Sequence, residues 1–566
     1  MCFLDQTDIL IIGAGPVGMT LAMDLTRRGV RTRVIEKRAR GADVSLKCNH
    51  ISARTMEAFR SLGIVSDVRN AGLPATYPHD VVFKTSFLGY ELSRIPIPSR
   101  NDRYTALDGP DCGWPTPEPP HRMNQSFLEP ILASHLTDTF NVPTDYECEL
   151  QSLSQTSTEV TAVVSDRQGN KQSIACQFMI GCDGPRSITR SAIGAEFRGD
   201  AVILRVQSTH IRSRDLLPAL LKNGQTPAWG SMVLNPQRSG TVYAIDGKEN
   251  WLVFNYLRDS EDGFESVDRR WAISQILGTG GQHIPYEIVS KQDWTGRRLI
   301  ATHFRDRRVF LCGDAAHIWV PYACYGMNAG IADAMDLSWL LWANVSGWAP
   351  DSILDAYQAE RLQVTEQVSL FAMSHCHETS KHRRVVSADI ERDDDKGKRA
   401  RVAAGRAAYD LNVEQYCCSG LNFGYFYDSS PIISYDEERA PGYSMRKFTS
   451  STVPGARLPH LWLQDGRSLY DALGLGYTLL CKSNTSSDAI ESFRLACATV
   501  GMPVHILRLE QQLPPEFKHD FIIVRPDQHI AWRGNDLSAD TNRLLSILRG
   551  VKVPAQSKFA EIEGSA

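Results

Sequence analysis

The chain has 566 residues, 42% of them apolar and 22% charged, with a net charge of −4 and a pI near 6.4. This length implies about three or four domain-sized units, and the slightly acidic balance supplies no basic field for nucleic acid or anionic lipid. No basic segment followed by a long apolar run opens the chain. The longest apolar stretch, residues 337–348, is interrupted by Ser338 and Asn344, so neither a signal peptide nor a membrane span is expected.

In chain order, residues 8–36 read as strand, glycine-rich turn, helix and strand. Asp8 to Ile12 is a continuous apolar run of the buried parallel-strand type. Pro16 to Arg28 carries apolar residues at helical spacing, with Gly29 as a stop, and Thr32 to Ile35 is the next strand. A second helix is predicted over Ala53 to Leu62. Short alternating strands follow from about 145 to 182. A second strand-rich region spans about 200–295, where Asp246-Gly247 separates two apolar runs as in a hairpin. Arg308 to Cys312 is another buried strand, and helices follow at about 329–345 and 351–380. The charge-dense stretch 380–408 reads as a solvated helix face or linker. After about 420 a new unit begins, with strands at Tyr477 to Cys481, Val504 to Leu507 and Phe521 to Val524.

Thirteen cysteines, an odd number spread over the whole chain, fit reduced thiols in a cytoplasmic protein. The adjacent Cys417-Cys418 carries no redox signature. In His375-Cys376-His377 the two histidines point about 200° apart on a helix, so they cannot share a metal, and no metal site is expected.

Three blocks carry chemistry. In the first, Gly13-Ala-Gly15-Pro-Val-Gly18 lies between a strand and a helix, and Glu36 ends the next strand. Glycines let the backbone approach a pyrophosphate, the helix N-terminus favours its charge, and the carboxylate can accept hydrogen bonds from ribose hydroxyls. This block alone does not separate FAD from NAD. The second block is Phe178 to Arg190, a strand ending in Asp183-Gly184. In the third, a strand ends in Gly313-Asp314, a loop passes through His317 and Pro321, and a helix begins near Gly326-Met327-Asn328. A carboxylate at that strand end suits a polyol such as ribityl. The helix N-terminus suits the negative edge of a reduced flavin.

Together these blocks resemble the FAD-binding signatures of the single-component FAD-dependent aromatic hydroxylases, the family of para-hydroxybenzoate hydroxylase, phenol hydroxylase and the polyketide hydroxylases. Ser52 to Gly63, His121 to Glu129, Tyr357 to Arg361 and the polyketide-branch stretch Trp114 to Arg122 agree with it, and the likeness covers about 1–380. Pro454 to His460 and Val524 to Trp532 resemble the C-terminal domain of the phenol-hydroxylase branch. The resemblance implies an α/β fold in which a Rossmann-like FAD-binding domain (1–77, 111–199 and 296–380) carries an inserted β-sheet substrate domain (78–110 and 200–295). A helical linker (381–419) and a thioredoxin-like α/β domain (420–566) follow, the latter without a Cys-x-x-Cys pair for thiol exchange. It further implies that Gly13, Gly15, Gly18, Glu36, Arg122, Gln125, Asp183, Asp314, Gly326, Met327 and Asn328 bind the cofactor; Arg54 is a candidate contact for either the cofactor or the NAD(P)H phosphate. Val320-Pro321 and Ala323-Cys324-Tyr325 depart from the family's Pro-Pro and Gly-Gly pattern, which leaves the pocket's shape open. Pro321, Tyr322 and Tyr325 are the substrate-pocket candidates.

The implied activity is a monooxygenase of secondary metabolism acting on a phenolic or polyketide-like aromatic. FAD, bound tightly without a covalent bond, is reduced by transient NADPH or NADH and reacts with O2 to give a C4a-hydroperoxide. The sheet over 200–295 is expected to be a mostly apolar wall that keeps that species dry. A homodimer is a further expectation. Open alternatives are a Baeyer–Villiger or epoxidising enzyme, a flavin oxidase or dehydrogenase, and a non-catalytic binding protein on the same scaffold. The catalytic base is not legible.

Overall fold

The structure, a computed structural model, describes residues 5–44, 46–278 and 284–552. Residues 279–283 of the expected substrate domain and 553–566 of the expected C-terminal domain lie outside the described residues. The chain divides into two compact units, one of Met1–Ser338, Arg361–Tyr425 and Tyr443–Thr449, the other of Trp339–Glu360, Phe426–Gly442 and Ser450–Ala566.

In the first unit, Ile9, Leu10 and Ile11 are completely buried because their strand, Asp5–Ile12, has a parallel neighbour on each edge. Those neighbours are Thr32–Glu36 and Lys171–Gly181, and Val309–Leu311 pairs in parallel with Lys171–Gly181 on the far side. Ile12 sits beside both Ile35 and Gly181, and Leu311 beside Gly181, so four strands end at one edge of the sheet. Helix Pro16–Arg27 leaves that edge with its apolar face buried and Pro at its first turn, where a missing N–H is harmless. Glu149–Gln155 and Val160–Ser165 extend the same sheet as an antiparallel pair.

A second sheet of nine strands is built around the long strand Phe197–Arg212. Gly240–Ala244 and Asn250–Tyr256 form the antiparallel hairpin foreseen from Asp246-Gly247, with the Asp246 carboxylate accepting backbone hydrogen bonds from Lys248, Glu249 and Asn250. Val81–Lys84 joins this sheet from a distant part of the chain by pairing in parallel with Gly230–Val233. Its core includes Trp229, Val242, Trp251 and Val253. The stretch expected as a helical linker is helical, but it packs as part of the core. It forms the helix Asp395–Tyr416, inside the first unit, where Ala408, Val413 and Tyr416 join the second sheet's core. The fit is tight enough that a Cβ on Gly405 would come 2.2 Å from the Leu92 carbonyl oxygen. Surface charge had masked this helix's one apolar face.

The second unit holds a four-stranded sheet. Tyr477–Lys482 pairs in parallel with Val504–Leu509 and antiparallel with Phe521–Val524, which pairs with Ile530–Gly534. Arg525, with no side-chain exposure, donates to both oxygens of Glu360 at 2.6 and 2.7 Å and to Asp527 at 2.6 Å. That fully paired cluster is what lets three charges sit in a core.

Among the buried histidines of the first unit are His50, His79 and His121. Arg122 donates to His50 Nδ1 at 2.6 Å, and a guanidinium can only donate, so that nitrogen carries a lone pair and the ring is neutral. Burial, with Arg122 second, holds His50 well below the usual histidine range, and burial with four nearby arginines lowers His79 to about 3. A histidine kept neutral when folded but free to protonate when unfolded stabilises the fold fully above about pH 6.5, and that contribution is lost as pH falls toward 3. Urea denaturation of the wild type is therefore expected to lose about 1.4 kcal/mol per pH unit from His79 alone between roughly pH 6 and 4. His79→Asn removes that share of the slope; identical slopes in the two proteins would contradict the assignment.

Candidate functional site

The shared edge of the four parallel strands opens on a cleft of about 970 Å³. This is the upper end of the range, about 300–1,000 Å³, in which small-molecule and cofactor sites fall. Gly13, Gly15, Glu36, Gln125, Asp183, Asp314, Pro321, Gly326 and Met327 all line it, so the three sequence blocks meet on one surface.

The glycines do separate jobs. Gly13 has φ +108°, and a Cβ there would lie 2.4 Å from the Cys182 carbonyl oxygen, so only glycine lets the first and second blocks touch. A Cβ on Gly18 would lie 2.0 Å from the Gly13 carbonyl oxygen, which fixes how closely the helix Pro16–Arg27 can approach the turn. Gly15 and Gly326 differ from both. A Cβ on either would meet no atom within 4 Å. Their backbones are bare toward open space, as a group approaching the chain closely requires.

The polar groups are tied to the scaffold. Glu36 accepts from the Ala14 amide at 2.7 Å and from the Arg38 amide at 2.8 Å, so the strand's end locks the glycine turn. Gln125 donates to Glu129 at 2.6 Å. One Asp183 oxygen accepts from the amide and hydroxyl of Thr189, while its other oxygen is enclosed with no protein partner. Asp314 lines the cleft and is exposed to it. Loss of surrounding water raises its pKa, and Lys47 and His317 pull the other way. His317 Nε2 lies 2.6 Å from Asp333, whose other oxygen accepts from Arg361 at 2.7 Å. Burial opposes the Asp333 charge, but His317 and Arg361 outweigh it and lower its pKa. His317 also stacks on Trp319, its ring 4.8 Å away, and its Nδ1 has no protein partner.

Beside the cleft lies a second, smaller cavity of about 60 Å³. It shares Lys47, Phe254, Trp294, Pro321 and Cys324 with the cleft. The second sheet contributes Phe254 and Trp294 to this shared wall, but also Gln292, Asp293 and Arg297 to the cleft, so the wall is more polar than expected. Tyr322 lines the small cavity.

Several expected contacts lie elsewhere. Arg122 does not line the cleft: besides His50 it donates to the Tyr416 carbonyl at 2.9 Å, and its guanidinium lies 4.9 Å over the Trp229 ring. Arg54 lies 5.3 Å over the Tyr425 ring. Asn328 accepts from the Ser52 amide and donates to the His50 and Cys324 carbonyls, which clips two loops together behind the cleft. Tyr325 donates to the Leu421 carbonyl at 3.1 Å and is a packed core residue. His375 is buried against Tyr322 and Asn412, and among the described residues no group of three His, Cys, Asp or Glu is arranged to hold a metal ion. Sequence reasoning missed Arg38, Lys47 and the His317–Asp333 pair. His317 and Asp333 stand inside the third block, sixteen residues apart, but that spacing reveals their contact only once the strand-loop-helix turn is folded.

The family model described as an FAD binding domain matches residues 6–372, and that of the aromatic-ring hydroxylase C-terminal domain matches 451–551. The chain belongs to the FAD-dependent aromatic hydroxylases. It is an FAD-dependent monooxygenase. The phenol 2-monooxygenase of a Pseudomonas species is 28% identical over 97% of this chain and 94% of its own. The FAD-dependent monooxygenase apdD of Emericella nidulans is 27% identical over 97% and 91%. Among solved structures, the rebeccamycin biosynthetic enzyme RebC with reduced flavin superposes with a TM-score of 0.85 at 28% identity, covering 97% of this chain and 99% of that one. The cleft's chemistry fits the cofactor: a glycine turn at a helix N-terminus, bare glycine backbone at Gly15 and Gly326, and an enclosed Asp183 oxygen in need of a donor.

Asp314→Ala is expected to weaken FAD retention by about ten-fold or more, the loss of a charged hydrogen bond. Gly15→Val, which fills the open space, is expected to do the same. The check is flavin absorbance per protein after gel filtration. Wild-type flavin content in both variants would contradict this reading of the cleft.

Proposed function

We propose that this enzyme oxygenates a phenolic or polycyclic, polyketide-like aromatic molecule, with NAD(P)H as transient reductant and O2 as oxygen source. The observation that carries this is the small tyrosine-lined cavity sharing a wall with the cleft at Pro321 and Cys324, next to the helix start at Gly326. In this reading it takes one polar end of the substrate, with the aromatic body along Phe254 and Trp294 toward the cofactor site. Similar enzymes are described as phenol 2-monooxygenase and putative polyketide hydroxylase, which supports the substrate class and a place in secondary metabolism.

When bound, FAD supplies the acceptance of two electrons and the activation of O2. The chain's own residues then have distinct tasks in this reading. Glu36 accepts hydrogen bonds from the adenosine ribose, and the turn from Gly13 to Gly18 with the N-terminus of Pro16–Arg27 receives the pyrophosphate. Asp314 accepts hydrogen bonds from the ribityl hydroxyls, Asp183 supports the loop on the cofactor side, Gln125 flanks them, and the backbone at Gly326 and Met327 faces the isoalloxazine. Arg54, Arg122 and Asn328 act behind the site by fixing the loops that carry these groups. Phe254 and Trp294 exclude water from the reacting edge.

The same reading gives the chain a Rossmann-like cofactor domain, an inserted substrate sheet and a thioredoxin-like C-terminal domain. The parallel and antiparallel pairings of the second unit's four strands support the last of these. The described cysteines form no disulfide, which supports a reducing, cytoplasmic setting.

The test is a panel of phenols, quinones and polycyclic polyketides, scored for substrate-stimulated NADH and NADPH oxidation and for product mass. The expected result is a product that gains one oxygen atom with its rings intact. Oxygen insertion beside a carbonyl, or cofactor turnover that yields only peroxide with every substrate, would overturn the hydroxylation reading.

A further inference from the structure

The small cavity has an unusual charge inventory. Its lining contains no Asp or Glu. It does contain Arg383 and, at the wall shared with the cleft, Lys47. Its other polar groups are four tyrosines, Tyr243, Tyr256, Tyr322 and Tyr416, His382, and the uncharged Asn49, Thr241, Thr379, Asn412 and Gln415. Burial raises the pKa of all four tyrosines, so they stay protonated at neutral pH and can offer O–H groups.

Arg383 is partly buried on the helix Asp355–Arg384. It donates to the Tyr322 hydroxyl at 3.2 Å and to Ser380 Oγ at 2.9 Å, and its guanidinium lies 4.2 Å from the centre of the Tyr256 ring. Among the described residues no carboxylate lies within 4.0 Å of it, although the arginines deep in this chain are commonly paired, as Arg361 is with Asp333 and Arg525 with Glu360. Burial works against its charge, Tyr322, Tyr256 and Cys376, neutral at pH 7, support it, and the neighbouring His382 is held below the usual histidine range by burial and by Arg383 itself. A guanidinium drawn partly out of water beside neutral partners keeps its affinity for an anion, since neither hydroxyls nor a ring face cancel its charge.

We propose that Arg383 is the counter-ion for an anionic oxygen on the substrate, so that the enzyme selects aromatic molecules carrying a carboxylate. The cavity's volume, about 60 Å³, has room for a few water-sized groups and so for one carboxyl head, not a fused ring system. The head enters between Arg383 and the tyrosine hydroxyls, and the aromatic body lies along Phe254 and Trp294 toward the cleft. The specificity role rests on the oxygenase reading above and deepens it.

The test uses the FAD-loaded full chain and matched pairs of probes: 1-hydroxy-2-naphthoate, 2-naphthoate and 2-anthraquinone carboxylate, each against its methyl ester. Binding is read from the flavin absorbance difference spectrum. The wild type is expected to favour at least one acid over its ester by about ten- to a hundred-fold, the worth of a charge-assisted hydrogen bond. R383M should remove that preference by weakening the acid alone, and R383K should keep part of it. Flavin content, read on every variant, shows whether it has folded. If R383M does not fold, the R383K comparison and the wild-type acid preference still decide the matter. No acid preference in the wild type for any pair, or one that persists in R383M, overturns the proposal. The oxygenase reading fails separately, if the wild type oxygenates nothing in the substrate panel whatever it binds.

Discussion

Parallel strands in one sheet run the same way, so whatever follows each of them in the sequence is delivered to the same edge. Residues 12, 36, 181 and 311 are neighbours here for that reason alone. The glycine turn, Glu36, Asp183 and Asp314 are far apart in the chain, yet the pairing of Asp5–Ile12 with two flanking strands leaves them no other place to go. The close approach at Gly13 then decides how near the first two can come, since any side chain there would strike Cys182. Remove the parallel register or that glycine, and the remaining residues are a set of unrelated loops.

Electrostatics divides the neighbouring cavities. The cleft carries carboxylates, Glu36, Asp183 and Asp314, that accept from hydroxyls and amides, as a ribose and a ribityl chain offer. The small cavity has no carboxylate and presents hydroxyls, amides, the His382 ring and the cations of Lys47 and Arg383. Groups that could reverse this pattern are neutralised or paired. The His50, His79 and His121 rings are held neutral by burial and nearby arginines, and Asp333 is committed to His317 and Arg361.

Sequence made the cofactor half legible because its motifs are local. A glycine turn between a strand and a helix can be read in twenty residues, and so can a strand that ends in Gly-Asp. What lies behind the site was not readable in this way. Arg122 looked like a cofactor contact because it stands in a matching motif, but its stacking on Trp229 and its bond to His50 join residues far apart in sequence. Arg383 was hidden in a charge-dense stretch that reads as solvated surface; only the packing of its helix turns that one residue inward. The helix Asp395–Tyr416 was read as a linker for the same reason, since its exposed charges outnumber the few residues that face the core.

The account depends on one cofactor lying across all the strand ends at once. The most direct measurement is a crystal structure of the protein purified with its flavin. Density for a single FAD running from Glu36, over the turn at Gly13 and Gly15, past Asp314 to the backbone at Gly326 and Met327 is the predicted result. A flavin bound elsewhere, or one that leaves Asp183 and Asp314 out of contact, would contradict it.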